Sequence, residues 1–408
     1  MTISVKTKVS LWKIAVFLVT ICVFIRSGSP FSLAYQSTTL LLHILISFVV
    51  IAYSMICKPA EKLTLFMYFL AALFCLSVFG TMFRTNESAF YRNYVIQALM
   101  CVDAVLIIRQ IGVERTIRYW IISMRTVVLA ALVLYFLLAL GINIFPTIQT
   151  PTSTYHTLFF ASQLTRAKRI CGSFWEPSMF VVFLSFTILF ELITEENDFP
   201  KSKFWIVAEI VALILTFSAS AFVALLFIGF IYYYKKSKRK DYFVIIAFAI
   251  CIVLMIFFED IIMALYKVFP SIFYKFIEKD ISFLTRVNNP IGDMLTCINH
   301  PFGVGVQNIE NTVRYYATLF TGESRAVISR TSTWSYYFAA FGWGAGFSVN
   351  LIWIIGVIKC RWLQGIQKVA FALLLFYMLT SVTLVNNQLY WILLVLINVS
   401  SKKKKLEI

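Results

Sequence analysis

Long apolar runs constrain this chain more than any other feature. A helix needs about 20 consecutive apolar residues to cross the hydrocarbon core of a bilayer. Stretches that meet or approach this length fall at roughly 11–26, 38–57, 63–83, 94–112, 121–145, 177–194, 203–218, 220–234, 242–258, 334–358, 369–385 and 387–400. Residues 203–234 also read as a single re-entrant hairpin. Only 13% of the residues are charged, against about 25% in a soluble domain. Lipid is therefore the expected solvent for most of the chain. The fold class that follows is an all-α polytopic membrane protein of about 12 transmembrane helices, one integral domain over 1–408.

Ser32-Leu33-Ala34, after the first run, resembles a signal cleavage site. A retained helix is preferred, since an even number of spans puts both termini on one side. Lys and Arg in short loops set the orientation. Lys235, Lys236, Lys238, Arg239 and Lys240 mark one cytoplasmic loop, and Lys402 to Lys405 mark a cytoplasmic C-terminus. Lys6, Lys8, Arg115 and Arg118 fall on the same side, so both termini are expected in the cytoplasm.

The net charge of +17 does not point to nucleic acid. The cations sit in short clusters between apolar runs, and no soluble segment shows a basic face with interleaved aromatics. The eight Cys are scattered without a Cys-x-x-Cys pair, which weakens metal and redox readings. His43, His156 and His300 are the only histidines, which argues against a zinc site.

Two long outer loops, 146–176 and 259–333, hold most of the cations that orientation does not explain. The first contains RAKRICGSFWEPSMF (166–180), with Arg166, Lys168 and Arg169 just ahead of Glu176-Pro177. A proline in the first helical turn and an acid before it are a plain helix start. That leaves the three cations unexplained. The second loop opens on Ile261, Leu265, Val268, Ile272 and Phe276, spaced as a helix lying along the membrane surface. Arg286, Asp293, His300, Arg314, Glu323, Arg325 and Arg330 follow, with the turn NHPFGVGVQN at 299–308. Gly303 and Gly305 permit a sharp turn or close approach to a ligand. His300 reads equally as a loop cap or as a catalyst.

Arg is suited to two-point contact with phosphate oxygens. Arg beside carboxylates at a membrane edge fits a substrate with a lipid tail and an anionic phosphate or pyrophosphate head. Cys171 and Cys297 lie on the same side and are candidates for a disulfide. Asp103, Glu191 and Glu209 lie in or at the ends of spans, where acids often signal function. Asp103 is the deepest, with Arg109 the nearest cation in sequence. No internal repeat of the kind seen in secondary transporters is visible.

Arg169, Gly172, Phe174, Glu176, Pro177 and Ser178 resemble the central periplasmic motif of bacterial O-antigen polymerases of the Wzy type. LTFSASAFVAL (215–225) resembles that family's "tfSrsG" hairpin, with Ala219 and Ala221 where Arg and Gly are usual. HPFGVGVQN resembles its glycine turn, which follows a motif arginine; Arg286 stands in that place. SRTSTWSYYFAAFGWGAGF resembles its last outer segment, running into a span at Gly342 and Gly344. The likeness covers roughly residues 160–350. The sibling O-antigen ligases usually carry Asn-Pro-Asn where Glu176-Pro177-Ser178 stands, and a His-Asn pair at Thr331-Ser332.

The resemblance implies a GT-C-like, metal-independent glycosyltransferase without a cofactor, in the bacterial inner membrane. Its substrates, donor and acceptor, would be undecaprenyl-pyrophosphate-linked glycans. Membrane lipid and a chain-length regulator (a polysaccharide co-polymerase) are the implied partners. Glu176, Arg169 and Arg286 are the catalytic candidates; Arg166, Lys168, His300, Arg325 and Arg330 are the substrate-binding candidates. A ligase, or a flippase of lipid-linked sugars, is the alternative.

Overall fold

A computed structural model describes residues 26–56, 59–60, 62–86, 91–150, 153–165, 168–193, 203–236, 267, 281–322, 332–360, 362–363 and 365–399. The described residues are mostly helical. In chain order the helices before the sheet are α1 (Pro30–Ala34), α2 (Gln36–Ile56), α3 (Leu65–Thr85), α4 (Tyr91–Ile111) and α5 (Val113–Ala139). Four short strands follow: β1 (Thr147–Gln149), β2 (Thr154–Leu158), β3 (Ala161–Leu164) and β4 (Arg169–Gly172). The helices after it are α6 (Pro177–Ile193), α7 (Lys203–Leu215), α8 (Ala219–Lys236), α9 (Ile281–Asn299) and α10 (Ile309–Thr321). The chain closes with α11 (Tyr336–Lys359), α12 (Ile366–Ser381) and α13 (Gln388–Leu396).

Four helices, α3, α4, α5 and α11, are long and apolar enough to cross a membrane. Shorter apolar helices cover Leu40–Ile56, Pro177–Ile193, Phe204–Leu215, Ser220–Phe230 and Gln367–Thr380. The expected spans at 11–26 and 242–258 lie almost wholly or wholly outside the described residues. The 203–234 stretch is two helices joined at Thr216–Ser218. At about 1.5 Å per residue, the 13 residues of α7 rise only about 20 Å, short of the bilayer core.

Local sequence sets the helix limits. Thr64 caps α3, its side chain accepting from the Met67 N–H, and Asn86 ends that helix in the left-handed conformation (φ 54°). Asn387 caps α13 in the same way as Thr64, through the Tyr390 N–H. Gly112 (φ 85°) separates α4 from α5. Helix α6 is buried along nearly its whole length and on every face, as expected of a helix apolar all round. Phe183, Phe186 and Phe190 join the core here, with Trp120 and Phe371 packed against them.

The four strands form one antiparallel sheet in the order β1-β2-β3-β4. Tyr155 pairs with Leu164 and His156 with Gln163. A bulge at Ser162/Gln163 shifts the β3–β4 register. The segment 146–176, expected as a loop, therefore carries a β element in an otherwise helical fold. Strands of three to five residues are too short to establish an alternating pattern.

The sheet marks one end of the bundle. At that end the Trp175 N–H bonds the Gly28 carbonyl at 2.8 Å, and Asn387 Nδ2 bonds the Ser27 carbonyl at 2.7 Å. At the far end Leu63 bridges Val399 and the Ala60 N–H bonds the Arg109 carbonyl.

The expected surface helix beginning at Ile261 lies outside the described residues, apart from Lys267. Helices α9 and α10, from the segment 259–333, are described. Helix α9 buries a polar row, Thr285, Asn289, Asp293 and Thr296. Ser335 Oγ donates to Asp293 Oδ2 at 2.6 Å and lies 2.8 Å from Ser332 Oγ. This helix is thus held within the fold by a polar face.

Candidate functional site

The residues around Glu176 are fixed from several directions. Gly172 ends β4 at φ +57°, and a methyl group there would meet the Phe180 ring at 2.6 Å. Ser162 Oγ donates to the carbonyls of Gly172 (2.9 Å) and Phe174 (3.2 Å). The Ser173 hydroxyl donates to the Phe160 carbonyl. Tyr155 Oη donates to the Trp175 carbonyl at 2.7 Å. Phe174 is fully buried and stacks on Phe183 with centroids 5.0 Å apart.

Pro177 then opens α6, and the Glu176 carbonyl accepts from the N–H groups of Met179 (3.1 Å) and Phe180 (3.4 Å). The backbone of Glu176 is therefore held, while its half-buried carboxylate is not. Among the described residues no hydrogen bond or ion pair engages it. The adjacent Ser178 hydroxyl, itself buried, also lacks a hydrogen-bond partner among these residues.

Arg169 comes to the same place from β4. Its Nε donates to the Thr216 carbonyl at 2.7 Å, at the start of the turn between α7 and α8. Burial pulls Arg169 below the ordinary guanidinium value, while the neighbouring Cys171 and Glu176 act in the other direction. Its two terminal NH2 groups make no hydrogen bond among the described residues. Those donors are unused among these residues, while Nε is taken by Thr216. Lys168, one residue earlier, is exposed with a left-handed backbone (φ 49°).

This arrangement brings together Arg169, Glu176 and the 216–218 turn. Arg166, Arg325 and Arg330 lie outside the described residues. Arg286 is on α9, at a position where only the backbone is described.

His300 is held by other elements. Its Nε2 lies 3.5 Å from Tyr316 Oη on α10. The turn it begins is clamped by Thr81 Oγ1 to the Phe302 carbonyl (3.0 Å), by Arg84 to the Gly303 carbonyl, and by the Val306 N–H to Tyr94 Oη (3.0 Å). Gly303 and Gly342 interlock backbone to backbone. A methyl on Gly303 would lie 2.4 Å from the Ala340 carbonyl oxygen, and one on Gly342 would lie 2.3 Å from that of Pro301. The glycines of HPFGVGVQN thus serve close packing against α11, which kinks at Gly342 (φ 78°).

The disulfide expectation is overturned. Cys171 and Cys297 are both free and buried. Burial pushes the Cys171 thiol up to about 12 and the Tyr155 hydroxyl to about 12 as well.

Asp103 and Glu191 have partners that sequence distance did not reveal, whereas both carboxylate oxygens of Glu209 lack a hydrogen-bond partner among the described residues. Asp103 Oδ2 meets Arg26 Nη1 at 2.6 Å and Ser47 Oγ at 2.5 Å, fully buried. Arg26 Nε also donates to His43 Nδ1 at 2.6 Å. Arg109 takes no part in this pair. Glu191 pairs with Arg125 at 2.8 Å, and the fully buried Glu209 lies beside Glu191. The Arg125 guanidinium stands 5.3 Å from the Trp205 ring centroid. Sequence reading passed over Arg26, Tyr155 and the Thr216 carbonyl. A lone cation at the end of an apolar run was the one signal available for Arg26.

Neither known protein families nor curated proteins yielded a match to this chain. The class established is thus a mostly helical protein with helices suited to a membrane.

Proposed function

We propose that this protein polymerises lipid-linked oligosaccharide repeat units on the outer face of a bacterial inner membrane, with both termini in the cytoplasm. The growing glycan moves from a polyprenyl diphosphate carrier to a hydroxyl of the next lipid-linked unit. That hydroxyl attacks the anomeric carbon, the carbon–oxygen bond to diphosphate breaks, and the electron pair leaves with the diphosphate. Arg169 and Lys168 offset the charge that develops there. Glu176 takes the proton from the attacking hydroxyl.

The observation that carries this reading is the open fork of Arg169, anchored by Nε to the Thr216 carbonyl near the unengaged Glu176 carboxylate. A donor anchored on one side and open on the other is pre-arranged for an anion. Arg286, Arg325, Arg330 and Arg166 remain proposed additional cations of the same site, and His300 a proposed contact to the sugar. Glu176-Pro177-Ser178 and Thr331-Ser332 depart from the ligase pattern, which favours polymerase over ligase.

A second reading, a flippase of lipid-linked sugars, is favoured by the ion pairs Arg26–Asp103 and Arg125–Glu191 inside the bundle. Deleting the gene separates the readings through the surface polysaccharide. A polymerase deletion leaves single repeat units on the outer side; a flippase deletion traps them inside; a ligase deletion leaves long polymer unattached to its lipid core.

A further inference from the structure

Helices α5, α6 and α7 bring three charged side chains together inside the bundle. Arg125 on α5 donates from Nε to Glu191 Oε1 on α6 at 2.8 Å, and both side chains are largely buried. Trp205 on α7 lies beside the cation, its ring centroid 5.3 Å from the guanidinium carbon. One helical turn along α7, Glu209 is fully buried and in side-chain contact with Glu191. Glu191 stands roughly 20 Å along α6 from Pro177, at about 1.5 Å per residue, so the group is remote from Glu176 and the sheet.

Glu209 differs from the other fully buried acid, Asp103, whose Oδ2 accepts from both Arg26 and Ser47. Both carboxylate oxygens of Glu209 are buried, and neither has a hydrogen-bond partner among the described residues. Its neighbour Glu191 is an acceptor too. Arg125 faces the pair from α5, but its Nε is committed to Glu191. From α8 the core receives Ala221, Ala224 and Ile228, none of which titrates. Arg169 on β4 meets Thr216 at the end of α7, roughly 10 Å from Glu209 along the axis at about 1.5 Å per residue. Lys203 opens the same helix at a position where only the backbone is described.

Two ionised carboxylates in contact repel, and neither can donate a hydrogen bond to the other. An ionised acid without a donor is costly in the interior, where such a group takes up a proton instead. One proton removes both difficulties. Protonated Glu209 donates to the Glu191 carboxylate, and Arg125 offsets the charge that the pair keeps. In the uptake step, hydronium gives its proton to a Glu209 oxygen and becomes water. A metal cation fits less well, because the charge of Arg125 already faces both acids. Nor does any group of three acidic, His or Cys side chains gather among the described residues.

We propose that Glu209 and Glu191 form a proton-binding site, Glu209 holding the proton and donating it in a hydrogen bond to Glu191. The bound proton joins α6 to α7 and lets α7 stay buried at this point. The site is separate from the residues assigned to glycosyl transfer and does not rest on that reading.

The test is infrared spectroscopy on the full chain in nanodiscs near neutral pH. An un-ionised carboxylic acid has a carbonyl stretch that a carboxylate lacks, and ordinary Asp and Glu, at about 4, are ionised there. Wild type should show this band, and heavy carbon in the glutamate carboxyls should move it, which separates it from Asp103. Glu209→Gln should lose it. Glutamine matches the protonated acid in size and can also donate to Glu191, so the variant should fold and melt as the wild type does. A wild type without the band, a band that survives Glu209→Gln, or a glutamine variant that fails to fold each overturns the proposal. Thermal melts of wild type in choline chloride, with sodium or magnesium chloride added, should show no shift. A melt raised by either metal in wild type but not in Glu209→Gln would put a metal cation in the proton's place and overturn it too.

Discussion

Arg169 on β4 donates from Nε to the Thr216 carbonyl at 2.7 Å, joining two segments 47 positions apart in the chain. The bond turns the guanidinium into a fixed fork rather than a swinging charge. It also ties the sheet to the turn between α7 and α8, so the cation's position depends on both.

Glu176→Gln keeps the size of the side chain and removes its ability to take a proton. The Glu176 backbone already bonds Met179 and Phe180, so the helix start should survive. Loss of one general base costs roughly 10²–10⁴ in rate. Polysaccharide from cells carrying the variant should collapse to single repeat units at normal protein level. Full-length ladders would remove Glu176 as the base.

Gly342→Ala tests the interlock of the 300–306 turn with α11. The residue sits at φ +78° with the Pro301 carbonyl oxygen 2.3 Å from where a methyl would be. Strain alone is worth about 1–3 kcal/mol, and the clash adds to it. A clear fall in the detergent melting temperature is expected. Gly229→Ala, where nothing lies within 4 Å, serves as the control and should match or exceed the wild type.

Asp103→Ala leaves the Arg26 guanidinium buried without its carboxylate, which costs about 3–5 kcal/mol. The pair variant Arg26→Met with Asp103→Leu should recover most of that, because no charge is then left unpaired. Melting temperatures of the three proteins check this directly. Equal stability of Asp103→Ala and wild type would contradict the ion pair.

Cys171 and Cys297 should be recovered as thiols. Denaturing the purified protein without reductant, alkylating it and mapping its peptides by mass should find both modified and no bridge between them. In the native state Cys171 should resist a maleimide near neutral pH, since it is fully buried and its thiol is pushed up to about 12.

The helical part of the fold was legible because apolar length is a local property. Expected spans at 38–57, 63–83, 94–112 and 177–194 coincide with α2, α3, α4 and α6 to within a few residues. The sheet was hidden because its strands are shorter than any readable period, and their pairing is settled by Tyr155, Ser162 and the helix behind them. Charge partners were hidden for another reason. Asp103 looked along its own helix to Arg109, yet its partner Arg26 is 77 positions away. Proximity of that kind is produced by packing and leaves no trace in spacing. At the candidate site, the cations and Glu176 were visible as residue types. That Arg169 leans on a backbone carbonyl was not, because a carbonyl carries no sequence label.

The most direct test of the central claim is complementation of a deletion strain with Arg169→Lys. Lysine keeps the positive charge but loses both the Nε anchor to Thr216 and the open fork. A hydrogen bond to a charged group is worth about 1.5–3 kcal/mol, so chain growth should fall roughly ten- to a hundredfold. Short or single-unit polysaccharide at normal protein level is the expected result. A wild-type ladder from that strain would contradict it.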